Sequence, residues 1–133
     1  MGYLFSYLGI AAVWVGFLSL AALFFCYRTN KEKYEKIIKL HYEKGFSFYG
    51  PYHFHSLMGF FGSFTIIYYF ICIKNKKKPL LMPCENNEIY KFFDDIPANQ
   101  FGWMTHYYRG TLFILLCIAF MLLMAAMKYI YSH

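Results

Sequence analysis

Apolar and polar positions fall in long blocks along this chain. Residues 3–27 carry no charge. As a helix that run is about 37 Å long, enough to cross about 30 Å of hydrocarbon with some tilt. Tyr3, Tyr7 and Tyr27 stand near its ends, where aromatic belts form. The next block, RTNKEKYEKIIKLHYEKG, is basic. Within it Tyr34, Ile37, Ile38, His41 and Tyr42 follow the i, i+3, i+4, i+7, i+8 spacing of one helix face, with lysines on the other. Thr29 and Glu32 fit a capping-box pattern, and Gly45 a C-cap. The pattern therefore predicts an amphipathic juxtamembrane helix over residues 31–44, either broken from the first span or continuous with it.

A loop rich in Gly, Pro and aromatics follows, then a second uncharged apolar run at 54–73, stopped by Lys74, Lys76, Lys77 and Lys78. Residues 79–110 read as an interfacial acidic-aromatic loop, carrying Glu85, Glu88, Asp94 and Asp95 among Tyr90, Phe92, Phe93, Phe101, Trp103, Tyr107 and Tyr108. Residues 111–130 form the last apolar run. The expected fold is an all-α integral membrane protein, one membrane domain over 1–133 with three transmembrane helices. The alternative is two spans with a re-entrant or buried middle segment, Gly59 and Gly62 making the turn.

Composition narrows the class. Apolar residues make up 59% of the chain, aromatics 24% and charged residues 15%. A soluble domain carries about 25% charge. A soluble enzyme, a disordered tail and a disulfide scaffold are thereby excluded. Cys26, Cys72, Cys84 and Cys117 show no CxxC spacing and read as buried thiols. The first run lacks a basic leader and a cleavage site, so it reads as a retained span.

The net charge of +6 suits anionic lipid better than nucleic acid, with Arg28, Lys31, Lys74, Lys76, Lys77 and Lys78 as the lipid contacts. Charge also tests topology. Three crossings put Arg28, Lys31, Lys33, Lys36, Lys39, Lys44 and Lys128 on one side, seven in all. Lys74, Lys76, Lys77, Lys78, Lys91 and Arg109 make six on the other. Two crossings put twelve on one side and leave Lys128 alone. Length favours three spans, and the excess of cytoplasmic Lys and Arg favours two.

The two-span layout resembles small bacterial membrane proteins of the universal stress protein B type. They have an N-terminal span, an amphipathic middle and a C-terminal span. The likeness covers architecture and the Asp94–Asp95 pair before the last span, while the middle segment here is more apolar.

Gly2, Gly9 and Gly16 recur every seven residues, with Ala12 and Ser19 three residues after Gly9 and Gly16. In lipid such small residues let helices approach closely, so Gly9, Ala12, Gly16 and Ser19 are candidate packing or partner sites. Ser56, Gly59 and Ser63 are similar in the middle run. His53, His55 and His106 are the candidate metal or haem ligands. His55-x-x-x-Gly59 resembles a fragment of the haem-anchor subunits of succinate dehydrogenase, without the Arg-His that follows there. Cys117, Met121 and Met124 share a face that would suit Cu(I) or ordinary packing.

No catalytic constellation is present, and no Asp, Glu, Lys or Arg lies deep in a span, which argues against an enzyme and a lone transporter. The expected role is that of a small non-catalytic accessory or structural subunit of a larger membrane complex, such as a respiratory or transport assembly. It would sit in a bacterial or mitochondrial inner membrane, bind lipid and need no cofactor. Two rival expectations are an immunity protein against a pore-forming toxin and a haem-bearing electron-transfer anchor.

Overall fold

A computed structural model describes residues 2–82 and 87–132. Cys84, Glu85 and His133 lie outside the described residues. Four α-helices are formed: α1 (Gly2–Glu43), α2 (Pro51–Ser56), α3 (Phe60–Lys74) and α4 (Ala98–Ser132), with a 3₁₀ turn at Ile89–Lys91. No strand occurs among the described residues. The chain divides into two compact units, one of residues 1–25 with 109–133 and the other of residues 26–108.

The basic segment continues the first apolar run without a break. α1 is 42 residues, about 63 Å, and carries both. Thr29 therefore sits in mid-helix and the expected capping box does not start a helix there. Capping needs unsatisfied N–H groups, and a helix already running through Cys26 leaves none. The C-terminal expectation holds. Gly45 has φ +83°, and its N–H and that of Phe46 turn back to the carbonyls of Tyr42 and His41 at 3.0 and 3.1 Å.

Among the described residues, α1 and α4 are the two helices long and apolar enough to cross a membrane. Only 11% of the apolar window of α1 and none of that of α4 is buried. A core helix of a soluble protein would be covered. Helices left this bare are candidate membrane spans.

In the first unit these two helices run antiparallel in one register. Phe5 stacks on Tyr131 at 5.5 Å. A Cβ on Gly9 would meet Met124 Cβ at 3.7 Å, and one on Gly16 would meet Cys117 Cβ at 3.5 Å. Leu23 fills the space over Gly110. Each seven-residue step along α1, from Gly9 to Gly16 to Leu23, is matched by one back along α4, from Met124 to Cys117 to Gly110. A seven-residue repeat keeps the same stripe facing the neighbour, as in a coiled coil.

The middle apolar run, expected either as a crossing helix over 54–73 or as a re-entrant or buried segment turning at Gly59 and Gly62, is divided. α2 ends at Ser56 and α3 begins at Phe60. Gly59 between them has φ +60° and ψ −127°, a conformation essentially confined to glycine. α3 alone is 15 residues, about 22 Å, short of the roughly 30 Å hydrocarbon core. Protein covers much of it: Ser63, Ile66, Ile67, Tyr69, Phe70 and Ile73 are all buried, while Phe61 at its start is exposed. The expected loop at 79–110 is shorter than its limits, because α4 already begins at Ala98. Three of its seven aromatics, Phe92, Phe93 and Tyr107, are buried, and the other four are half-buried.

Those residues build the core of the second unit. Tyr27 meets Phe60 at 5.6 Å, and His41 meets Phe70 at 5.7 Å, so α3 runs alongside α1 in the same direction. α2 folds back on α3, with Tyr52 at 5.1 Å from Tyr69. The first turns of α4 close the other side, Trp103 against Tyr34 at 6.5 Å and Tyr107 against Phe64 at 5.7 Å.

Candidate functional site

The second unit is organised around His41. The face predicted from spacing places it inward: Tyr34, Ile37 and His41 are buried, while Tyr42 remains largely exposed. Six aromatic rings surround the imidazole. Phe48 stacks on it at 4.4 Å and 13°. Tyr42, Phe46, Tyr69, Phe70 and Phe92 approach at 5.6–5.9 Å. Nε2 shares a hydrogen bond with the Tyr69 hydroxyl at 3.1 Å, while Nδ1 is buried without a partner. Burial in this apolar cage favours the neutral ring and lowers its pKa from 6.5 to about 4. Lys44, whose ammonium lies 5.1 Å from the centre of the Phe92 ring, brings like charge to the cluster. Burial likewise pushes the Tyr34 hydroxyl up, and that hydroxyl too is buried without a partner.

His41 offers a single imidazole whose Nε2 is already engaged by the Tyr69 hydroxyl, and the cage brings it no second ligand among the described residues. The expected ligands lie elsewhere. His53 and His106 are exposed and His55 is half-buried. Among the described residues no three His, Cys, Asp or Glu side chains come together. Sequence reasoning placed His41 on the right face but passed over it as a site. The signal was its position seven residues after Tyr34 on that same apolar face.

The small-residue candidates separate into two groups. Gly9 and Gly16 line the α1–α4 seam, and Ala12 borders a shallow apolar groove of about 240 Å³ beside it with Cys117 and Met121. The Ser19 hydroxyl bonds back to the Val15 carbonyl at 2.8 Å, as serine does in an apolar helix. The Cys117 and Met124 positions weighed for Cu(I) thus face the glycines of α1. Gly110 belongs to this seam and was not singled out from the sequence, although it stands seven residues before Cys117.

Ser56, Gly59 and Ser63 serve the second unit. The Ser56 hydroxyl donates to the His53 carbonyl at 2.7 Å. The Ser63 hydroxyl donates to the Phe60 carbonyl at 2.6 Å, so the Tyr107 hydroxyl donates to Ser63 Oγ, also at 2.6 Å. Gly62, named from sequence for the turn, admits the backbone itself: a Cβ there would overlap the His55 carbonyl oxygen.

The basic candidates are at the surface. Arg28 and Lys31 project from α1, and Lys31 pairs with Glu35 at 3.7 Å. Lys74 ends α3, where it reaches the Thr105 hydroxyl at 3.4 Å. Lys76, Lys77 and Lys78 follow it, all exposed. A shallow pocket of about 260 Å³ lies between Lys36, Ile37, Leu40 and Lys44 of α1 and Asp95, Ile96, Pro97 and Gln100. Asp95 stands 3.9 Å from Lys44 there and offsets its charge.

No known family model matches the chain, and no curated protein or solved structure is significantly similar to it.

Proposed function

We propose that this chain is a two-span membrane protein that holds a basic, aromatic-cored helical unit on the cytoplasmic (or mitochondrial matrix) side. We further propose that it acts as a non-catalytic accessory subunit of a larger membrane assembly. The observation that carries the topology is the burial of α3 among the side chains of the second unit. A segment whose apolar faces are already covered by protein has little to gain from crossing lipid. With two crossings, twelve of thirteen basic residues share one side, the bias that fixes orientation in membranes.

The accessory role is supported by what the molecule leaves uncovered. α1 and α4 pack on each other along one seam and expose Trp14, Phe17, Leu18, Leu116, Leu122 and Leu123 around it. The second unit is filled with rings. Its pocket at Lys36 and Asp95 is shallow.

Reporter fusions at Lys44 and Lys78 test the topology: both report the cytoplasmic side if two spans are correct, and opposite sides would refute it. A photo-crosslinking amino acid at Phe17 in native membranes tests the role. A discrete protein adduct is expected, and adducts with lipid alone would count against an accessory subunit.

A further inference from the structure

Between Lys44 and Lys74 lie 29 residues without a single Asp, Glu, Lys or Arg. Its second half is largely buried, with Ile66, Ile67, Tyr69, Phe70, Ile71 and Ile73 inside, but the elbow before it is not. Phe54 is 63% exposed, Leu57 76%, Met58 41% and Phe61 76%. The close pass of Gly62 against the His55 carbonyl brings the two arms together, so these side chains share one end of the second unit. A soluble surface rarely groups four large apolar side chains in this way without a use for them.

The position of the elbow identifies what covers it. A Cβ on Gly59 would stand 3.7 Å from the Tyr27 hydroxyl, and the Phe60 ring lies 5.6 Å from the Tyr27 ring. Tyr27 is the last residue of the uncharged run of α1, next to Arg28. In the two-span reading, on which this inference rests, that is where the first span leaves the hydrocarbon. The elbow is therefore held at the boundary between acyl chains and headgroups, with an apolar tip and no charge to keep it out. At the other end of the unit α3 finishes in Lys74, Lys76, Lys77 and Lys78, which belong in water.

We infer that the α2–α3 elbow is a monotopic membrane contact: Phe54, Leu57, Met58 and Phe61 dip into the cytoplasmic leaflet at the level of Tyr27. The occupant of this surface is lipid of the same bilayer. Burial of apolar area at the headgroup–acyl boundary is the interaction that holds interfacial helices. Here it ties the second unit to the membrane at a third point, beside its two covalent junctions.

The test uses the full-length protein in phosphatidylcholine–phosphatidylglycerol vesicles carrying bromine at defined acyl positions. Leu57→Trp is made in a Trp14→Phe, Trp103→Phe background. Its emission is expected to be blue-shifted and quenched most by bromine near the headgroups. Phe61→Trp repeats the reading from the other arm, so that misfolding of one variant does not decide the result. Lys39→Trp, on the exposed face of α1, is expected to remain unquenched, and equal quenching there would overturn the inference. Native Trp14, read alone with Trp103→Phe, is expected to be quenched by bromine deep in the chains.

If Trp14 is quenched while Leu57→Trp and Phe61→Trp are not, the elbow contact is refuted and the two-span reading survives. Strongest quenching of both elbow variants by deep bromine would mean a third crossing and refute both. Elbow variants shielded from lipid, together with cross-linked dimers, would replace lipid by a second copy as the occupant.

Discussion

At the scale of single residues, the second unit depends on a histidine that must stay neutral. His41 has its pKa lowered to about 4 by burial, against 6.5 when solvated. The unfolded chain therefore binds the proton first as pH falls, and stability is lost from about pH 6.5 down to about pH 4. The loss amounts to on the order of 2–3 kcal/mol for a shift of this size. Chemical denaturation in detergent at pH 7.5, 6, 5 and 4.5 should show it. His41→Phe should remove most of that acid dependence. It should also cost about 1–3 kcal/mol at pH 7.5, because the Tyr69 hydroxyl loses its partner inside the core. An unchanged acid slope in the variant would show that another group titrates. The sequence pattern revealed that His41 lies on an apolar helix face. It could not reveal the cage, because Phe48, Phe70 and Phe92 arrive from three separate segments, and no local periodicity records which distant rings will meet.

At the scale of elements, glycine decides where the middle segment turns. The segment has the length and apolarity of a span, which is why the pattern alone reads as a crossing. Its division depends on two backbone facts that periodicity does not carry: the positive φ of Gly59 and the passage of Gly62 against the His55 carbonyl. Gly62→Ala would drive a methyl into backbone that has no rotamer to yield, and should destabilise the second unit by more than about 2 kcal/mol. Gly102→Ala, in α4 with nothing within 4 Å of the added methyl, should instead stabilise by about 0.5–1 kcal/mol through helix propensity. Thermal unfolding of the two variants side by side separates steric from propensity effects.

The end of α3 offers a converse case. Lys76 occupies the left-handed position, φ +55°, that closes the helix through bonds from Lys76 and Lys77 to the Ile73 and Cys72 carbonyls at 3.0 and 2.8 Å. A side chain there is strained, so Lys76→Gly should gain about 0.5–1 kcal/mol. The same element scale explains why α1 hides its two parts. Sequence distinguishes a greasy half from a basic half, yet nothing between Tyr27 and Lys31 breaks a helix, so one helix carries both.

At the scale of the whole molecule, the question is whether the glycine stripe of α1 serves this chain or another. The sequence shows the stripe and its seven-residue period but not its partner, since small residues suit a neighbour in the same chain and one in a different protein equally. The matched heptads answer it with α4, because Gly9, Gly16 and Leu23 meet Met124, Cys117 and Gly110 in one antiparallel register. This register can be captured covalently. A Cβ on Gly16 would lie 3.5 Å from that of Cys117, within the Cβ separation of about 3.5–4.5 Å that a disulfide requires. In a background with Cys26, Cys72 and Cys84 replaced by serine, Gly16→Cys should cross-link to Cys117 within one chain under mild oxidation in membranes. The product would migrate as a compact monomer on non-reducing gels. Ala12→Cys, which borders the groove beside the seam, should cross-link less. Dimers through Cys117 in the Gly16→Cys protein would instead mean that the stripe faces a second copy. Trp14, Phe17, Leu116 and Leu123 stand exposed on the flanks of α1 and α4 beside this seam. If the Gly16→Cys cross-link forms within the chain and the Phe17 photo-adduct persists, the partner of the assembly binds those flanks and not the glycine stripe.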